Sequence, residues 1–238
     1  MMAAMPPRPW TVSPHGPLEK VEPNLWLVDG WLPKSPIRRR MAIVRCDDGQ
    51  LVFHNAVPLE PAAMAEVEAW GRPSVLVVPN AYHRLDIHAF KERYPGMRLL
   101  CPAAIEARVG PVAAVDGHLD ALPGAPALRA EPLDGVSNGE AVLVVGSGGR
   151  VSLLFADVLM NNVAPPGLGG LLLRLIGSAG GPRVTRLARL LMVRDRAALR
   201  AHLLRLAALP GLTRLVPSHG TVTSSDSAAV LAAVAVAL

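Results

Sequence analysis

Five side chains able to hold a metal ion or move a proton stand just after apolar runs: His83, Asp86, His88, Asp157 and His219. His54 and Asn80 sit at similar places, as candidates for a substrate contact or for support of the other five. Imidazole nitrogens and carboxylate oxygens are the ligands that hold zinc, iron or manganese and still leave a position for water. An ion so held lowers the pKa of bound water toward neutrality and makes it a nucleophile, with Asp86 or Asp157 as the residue that orients it or takes its proton. Each residue also has a plain reading. Asp86 suits the cap of a helix beginning near His88, which could itself face outward, and His54 suits an ordinary turn.

The elements needed to position these groups can be read around them. Val75 to Val78 is a buried strand stopped by Pro79-Asn80, which puts His83, Asp86 and His88 at its C-terminal end. Met41 to Cys46 and Leu51 to His54 form a hairpin through Asp47-Asp48-Gly49. Glu60-Pro61 opens a helix that Gly71 closes in the manner of a C-cap. Strands follow at Met97 to Cys101, Glu140 to Val145, Val151 to Phe155 and Thr213 to Pro217. Helices are expected near Val184 to Met192, from Asp195 to Ala208, and from Ser225 or Asp226 to Leu238, the last a run of Ala, Val and Leu that should be buried. An apolar helix from Leu171 to Ile176, within the Gly- and Leu-rich stretch 163–182, is expected as a lid over a site.

Alternation of strands and helices predicts an α/β protein. Residues 1–23, rich in Pro and Met, read as a surface arm, and 24–238 as a single domain. Two runs of strands followed by helices suggest a four-layer αββα sandwich. Cys46 and Cys101 end apolar runs and read as buried thiols, so no disulfide framework is implied and a cytoplasmic location fits. The net charge of +5 comes from scattered arginines, with Arg38-Arg39-Arg40 the one tight cluster. Without stacking aromatics or a reading motif this is a solvated surface, and no nucleic-acid partner is expected. The longest uncharged run, Val158 to Leu173, is broken by two Asn, two Pro and three Gly, so no membrane span is expected. His118 reads as a solvated residue of a polar loop, and His15 and His202 read as inert.

Three passages resemble the metallo-β-lactamase fold superfamily. They are Leu76-Val-Val-Pro-Asn80-Ala-Tyr-His83-Arg-Leu-Asp86, Leu153-Leu-Phe-Ala-Asp157-Val-Leu and Leu215-Val-Pro-Ser-His219-Gly220. They stand where that superfamily has its His-x-His-x-Asp-His strand end, its bridging aspartate and its late His-Gly. The likeness is to a divergent branch, similar also in the Met41 to Leu51 hairpin and the Asp157-Val-Leu-x-Asn161 segment, from which no reaction carries over. The chain departs from the full pattern: His-x-His-x-Asp-His is absent, and Pro132-Leu-Asp134-Gly135-Val-Ser-Asn138 lacks the middle histidine.

The resemblance therefore implies a reduced, single-metal site in a hydrolase-like protein acting on a small molecule. His83, Asp157 and His219 would be ligands, with Asp86 or His88 as further candidates. Zinc is the expected ion, with iron or manganese as alternatives. The other reading is a non-catalytic relative that has lost the metal and binds a small molecule or partner in the same cleft. A homo-oligomer is compatible with the apolar stretch 163–182.

Overall fold

Aspartate and glycine between two apolar runs make the chain reverse at Asp47-Asp48-Gly49. In the computed structural model, which describes residues 9–35, 37–164, 166–168, 171, 175 and 177–238, Gly49 takes φ +79°. The Asp48 carboxylate accepts the Gln50 backbone N–H at 3.0 Å. The turn joins strand β3 (Arg38–Arg45) to β4 (Gln50–His54), with Ile43 opposite Phe53.

The chain forms two compact units, Met1–Ala130 and Glu131–Leu238. In the first, a seven-stranded sheet runs in sequence order through β1 (Glu19–Glu22), β2 (Leu25–Trp31), β3, β4, β5 (Arg72–Val77), β6 (Arg98–Cys101) and β7 (Gly117–His118). Pairing is antiparallel from β1 to β4 and parallel from β4 to β7. Parallel neighbours need crossovers, and helices α1 (Pro61–Trp70), α2 (Ile87–Arg93) and α3 (Glu106–Val109) lie in them. Phe53, Leu76, Phe90 and Leu99 are buried at the centre of this unit's core.

The described part of the stretch expected as an arm, residues 9–23, is tied down. Its β1 pairs with β2, the Trp10 indole N–H donates to the Leu59 carbonyl at 3.1 Å, and the Trp10 ring packs on Phe90. His15 Nε2 accepts the Glu60 N–H at the start of α1, so this histidine is a clip rather than inert. Gly71 also differs from expectation. It is extended, at φ −176°, so handedness does not demand glycine there. A Cβ would stand 2.7 Å from the Gly49 carbonyl oxygen and from Leu51, so close packing of the chain does.

In the second unit the sheet order is β11-β10-β9-β8, from β8 (Leu128–Pro132), β9 (Ala141–Ser147), β10 (Arg150–Phe155) and β11 (Leu212–Pro217). Strands β9 and β10 are antiparallel, while β10 and β11 are parallel, with Phe155 opposite Pro217. Helices α4 (Arg186–Leu191), α5 (Arg196–Ala207) and α6 (Ser227–Val236) complete it. Thr185 and Asp195 cap α4 and α5 through their side-chain oxygens. The α6 helix is buried on one side only: Leu231 and Val234 are in the core, but Val236 is 69% exposed. A run of Ala and Val does not reveal which face is covered. Of the lid expected at Leu171 to Ile176, only Leu171 and Leu175 are described, so the lid lies outside the described residues.

The mixed α/β class with two sheets agrees with the sequence reading. Both cysteines are free and buried, and burial pushes each thiol up to about 11. No helix among the described residues is long and apolar enough to cross a membrane.

Candidate metal site

His83 is presented by an Asn-based turn. Strand β5 ends at Val77, and the fully buried Asn80 uses its side-chain oxygen to accept the backbone N–H groups of Tyr82 at 2.9 Å and His83 at 3.2 Å. Asn80 therefore shapes the loop that carries His83. Asn80→Ala should cost about 1–3 kcal/mol by orphaning two donors, measured by denaturant unfolding. An unchanged midpoint would show that the turn forms without that side chain.

Close by in the same unit, His54 ends β4 with 2% of its surface exposed. Its Nε2 is buried without a hydrogen-bond partner among the described residues. Burial, with the His83 charge adding to it, pushes the His54 imidazole down to about 3, so the ring is neutral and keeps a lone pair. An orphaned ring nitrogen beside a second histidine is unlike an ordinary turn histidine.

Asp86 has a different setting from the one its spacing suggests. It occupies the cap position of α2, yet its carboxylate makes no capping bond. Instead Oδ2 meets Arg39 Nη2 at 2.6 Å, with both side chains almost wholly out of solvent. Arg39 also donates to the Ala56 carbonyl. Arg40 is buried as well: its Nε is 2.8 Å from the Asp29 carboxylate, and desolvation holds the guanidinium below its usual value against that pairing. The Arg38-Arg39-Arg40 cluster is thus not a solvated face, because two of the three are neutralised inside the unit. His88 is on α2, 3.8 Å from Glu92 one turn along.

In the second unit the ends of β10 and β11 bring Asp157 and His219 together. His219 Nε2 lies 3.3 Å from Asp157 Oδ1. Two ligand atoms bound at about 2.1 Å to one tetrahedral ion stand about 3.4 Å apart, so this spacing fits a shared metal. The chain around both residues is pinned. Ser218 donates from its backbone N–H and its hydroxyl to the Phe155 carbonyl, while Asn161 receives the Thr221 N–H on its carbonyl and donates its side-chain amide to the Thr221 carbonyl. Gly220 has φ +96°, and a Cβ there would come within 2.1 Å of the Asn161 oxygen. Glycine after His219 is therefore required by both backbone sign and space.

Glu140, missing from the sequence reading, is the foundation of this half. It is fully buried, and its carboxylate accepts the backbone N–H groups of Ala156 at 2.8 Å, Asp157 at 2.8 Å and Val158 at 3.0 Å. Asn138 Nδ2 approaches it at 3.3 Å. The available signal was a carboxylate opening an otherwise apolar strand, where an acid is rarely buried without several donors. His202 was likewise misread. It is buried, with Arg205 Nη2 3.0 Å from its Nε2 and the Asp134 backbone N–H and carboxylate 3.2 and 2.9 Å from its Nδ1. The ring ties α5 to the loop after β8.

No protein-family model matches the chain, and no curated protein does. Solved structures do. A metallo-β-lactamase from Erythrobacter litoralis with β-mercaptoethanol in its active site aligns at TM-score 0.62 and 13% identity, over 93% of this chain and 96% of its own. The DIM-1 metallo-β-lactamase exposed to ceftazidime aligns at TM-score 0.62 and 11% identity, over 92% and 96%. A second structure of the Erythrobacter litoralis protein gives TM-score 0.56 at 13% identity, over 93% and 92%. The chain has the metallo-β-lactamase fold.

Proposed function

We propose that this protein is a metal-dependent, hydrolase-like member of that fold with a single ion held by His83, Asp157 and His219. Each of the three offers one ligand atom, an imidazole nitrogen or a carboxylate oxygen. The carrying observation is the Asp157–His219 pair at 3.3 Å, a spacing suited to two ligands of one ion. The donor set of two imidazoles and one carboxylate is that of a hydrolytic zinc site with an open fourth position. The orphaned Nε2 of neutral His54 is a further acceptor within the same half as His83. Zinc is the first candidate, with iron and manganese behind it.

Bound there, the ion would supply Lewis acidity and a water acidic enough to attack at neutral pH. The protein's own residues supply the rest. The Asp157 carboxylate would orient a water toward a carbonyl or phosphoryl centre of a small-molecule substrate. Asn80 and Glu140 hold the two loops in place. Asp86 and His88 are left out of the set, since the Asp86 carboxylate is engaged by Arg39 and His88 stands beside Glu92.

A second reading is favoured by the same Arg39–Asp86 pair and by the missing His-x-His-x-Asp-His: a relative without metal that binds a small molecule or partner. Elemental analysis of protein purified without chelator separates the two. One equivalent of metal is expected in the wild type, with occupancy falling at least tenfold in His83→Ala and His219→Ala. Absence of stoichiometric metal in the wild type, with a small molecule still bound, would replace the hydrolase reading by the binding one.

A further inference from the structure

A cleft that shares no residue with the proposed metal ligands opens in the Glu131–Leu238 unit between segment 177–189 and helix α6. Its volume is about 520 Å³, within the roughly 300–1,000 Å³ common for small-molecule sites. The two sides differ in chemistry. Arg183, Arg186 and Arg189 line one, while Val184, Val230 and Val234 are among the apolar residues that line the rest.

The arginines are anchored but not neutralised. Arg183 donates to the Gly180 and Gly181 carbonyls, Arg186 to the Leu175 carbonyl at 3.0 Å, and Arg189 to the Val184 carbonyl at 3.0 Å. A guanidinium carries five N–H donors, so these contacts leave most of them for another acceptor. Among the described residues no carboxylate pairs with any of the three. Arg189 is held below its usual value by burial and by the charges of Arg196, Arg183 and Arg186. Like charges gathered without a counter-ion are costly, and an anion relieves that cost. Gly177 is built into the arrangement: at φ +69°, a Cβ there would sit 2.8 Å from the Arg186 side chain.

We propose that this cleft binds an amphiphilic anion, a carboxylate or phosphate ester whose head meets Arg183, Arg186 and Arg189 and whose apolar tail lies along Val230, Ala233 and Ala237. The assignment is independent of any metal. Arginine suits both heads because its planar fork matches carboxylate and phosphate oxygens. Val230, Ala233 and Ala237 suit a hydrocarbon tail, and their side chains would give a sugar or nucleotide no polar partner.

Calorimetric titration of the full chain tests this, with octanoate and octyl phosphate below their micelle concentrations, inorganic phosphate, and octyl glucoside. Saturable one-to-one binding of an octyl anion is expected, at least tenfold weaker in R186Q/R189Q and in Ala233→Trp, which plugs the cleft from α6. His219→Ala should bind it as the wild type does. Inorganic phosphate should bind more weakly and octyl glucoside not measurably. The two octyl anions show whether carboxylate or phosphate is preferred. The proposal is overturned by absent binding, by wild-type affinity in folded R186Q/R189Q and Ala233→Trp alike, or by octyl glucoside or inorganic phosphate binding as tightly as the octyl anions. Leu187 and Leu190 are exposed on α4, so vesicles containing phosphatidylserine are included. Binding to vesicles but to no monomeric anion would also overturn it.

Discussion

Asp86→Ala is expected to lower the unfolding free energy by about 3–5 kcal/mol, because it strands a buried arginine without its counter-charge. Arg39 keeps 4% of its side-chain surface exposed and Asp86 none, at a separation of 2.6 Å. The cost comes from leaving one ion behind rather than from the worth of the pair. An Arg39→Met/Asp86→Leu double replacement should therefore recover most of the loss, since an apolar pair of similar volume needs no solvation. Urea unfolding of the three proteins reads this directly. Metal analysis of the double variant also fixes the role of Asp86. Retained metal makes it a structural ion-pair partner, whereas metal lost from a stable double variant returns it to the ligand set.

Glu140→Ala is expected to cost a similar about 3–5 kcal/mol, by a different route. Three consecutive backbone N–H groups, from Ala156 to Val158, lose their acceptor inside the protein. Each such orphan costs about 1–3 kcal/mol, and the loop will relax to recover part of it. Glu140→Gln retains one acceptor oxygen and should lose roughly half as much. Because the middle donor belongs to Asp157, both variants should also weaken metal affinity, the alanine by about 10–100-fold. Melting of Glu140→Ala at the wild-type denaturant midpoint would show that the loop does not depend on this carboxylate.

How much of this was readable in the letters depends on whether a residue's partner is near in sequence. The Asp48-Gly49 turn, the α1 opening at Pro61 and the Asp195 cap are local, and each stands where its residue type dictates. The strand ends that carry His83, Asp157 and His219 were legible because apolar runs stop there abruptly. Arg39 and Arg40 were misread because what buries them is a carboxylate elsewhere, Asp86 for one and Asp29 for the other. Glu140 could be seen at the head of an apolar strand, but its role could not: its partners are mainly backbone N–H groups, which every residue carries. Gly71 looked like a helix stop, but the constraint is the approach of Gly49 and Leu51 from another turn. Asp86 shows the same limit from the other side. Its spacing after the strand suits a ligand, and only the position of Arg39 reveals another use.

The most direct measurement is an anomalous-scattering map, collected at the zinc absorption edge from crystals of protein purified with zinc. One strong peak is expected, within about 2.0–2.2 Å of a nitrogen of His83, a nitrogen of His219 and an oxygen of Asp157. A map without a peak at those three side chains, from protein whose His219 and Asp157 remain in contact, would contradict the single-ion site and leave the fold with a binding role alone.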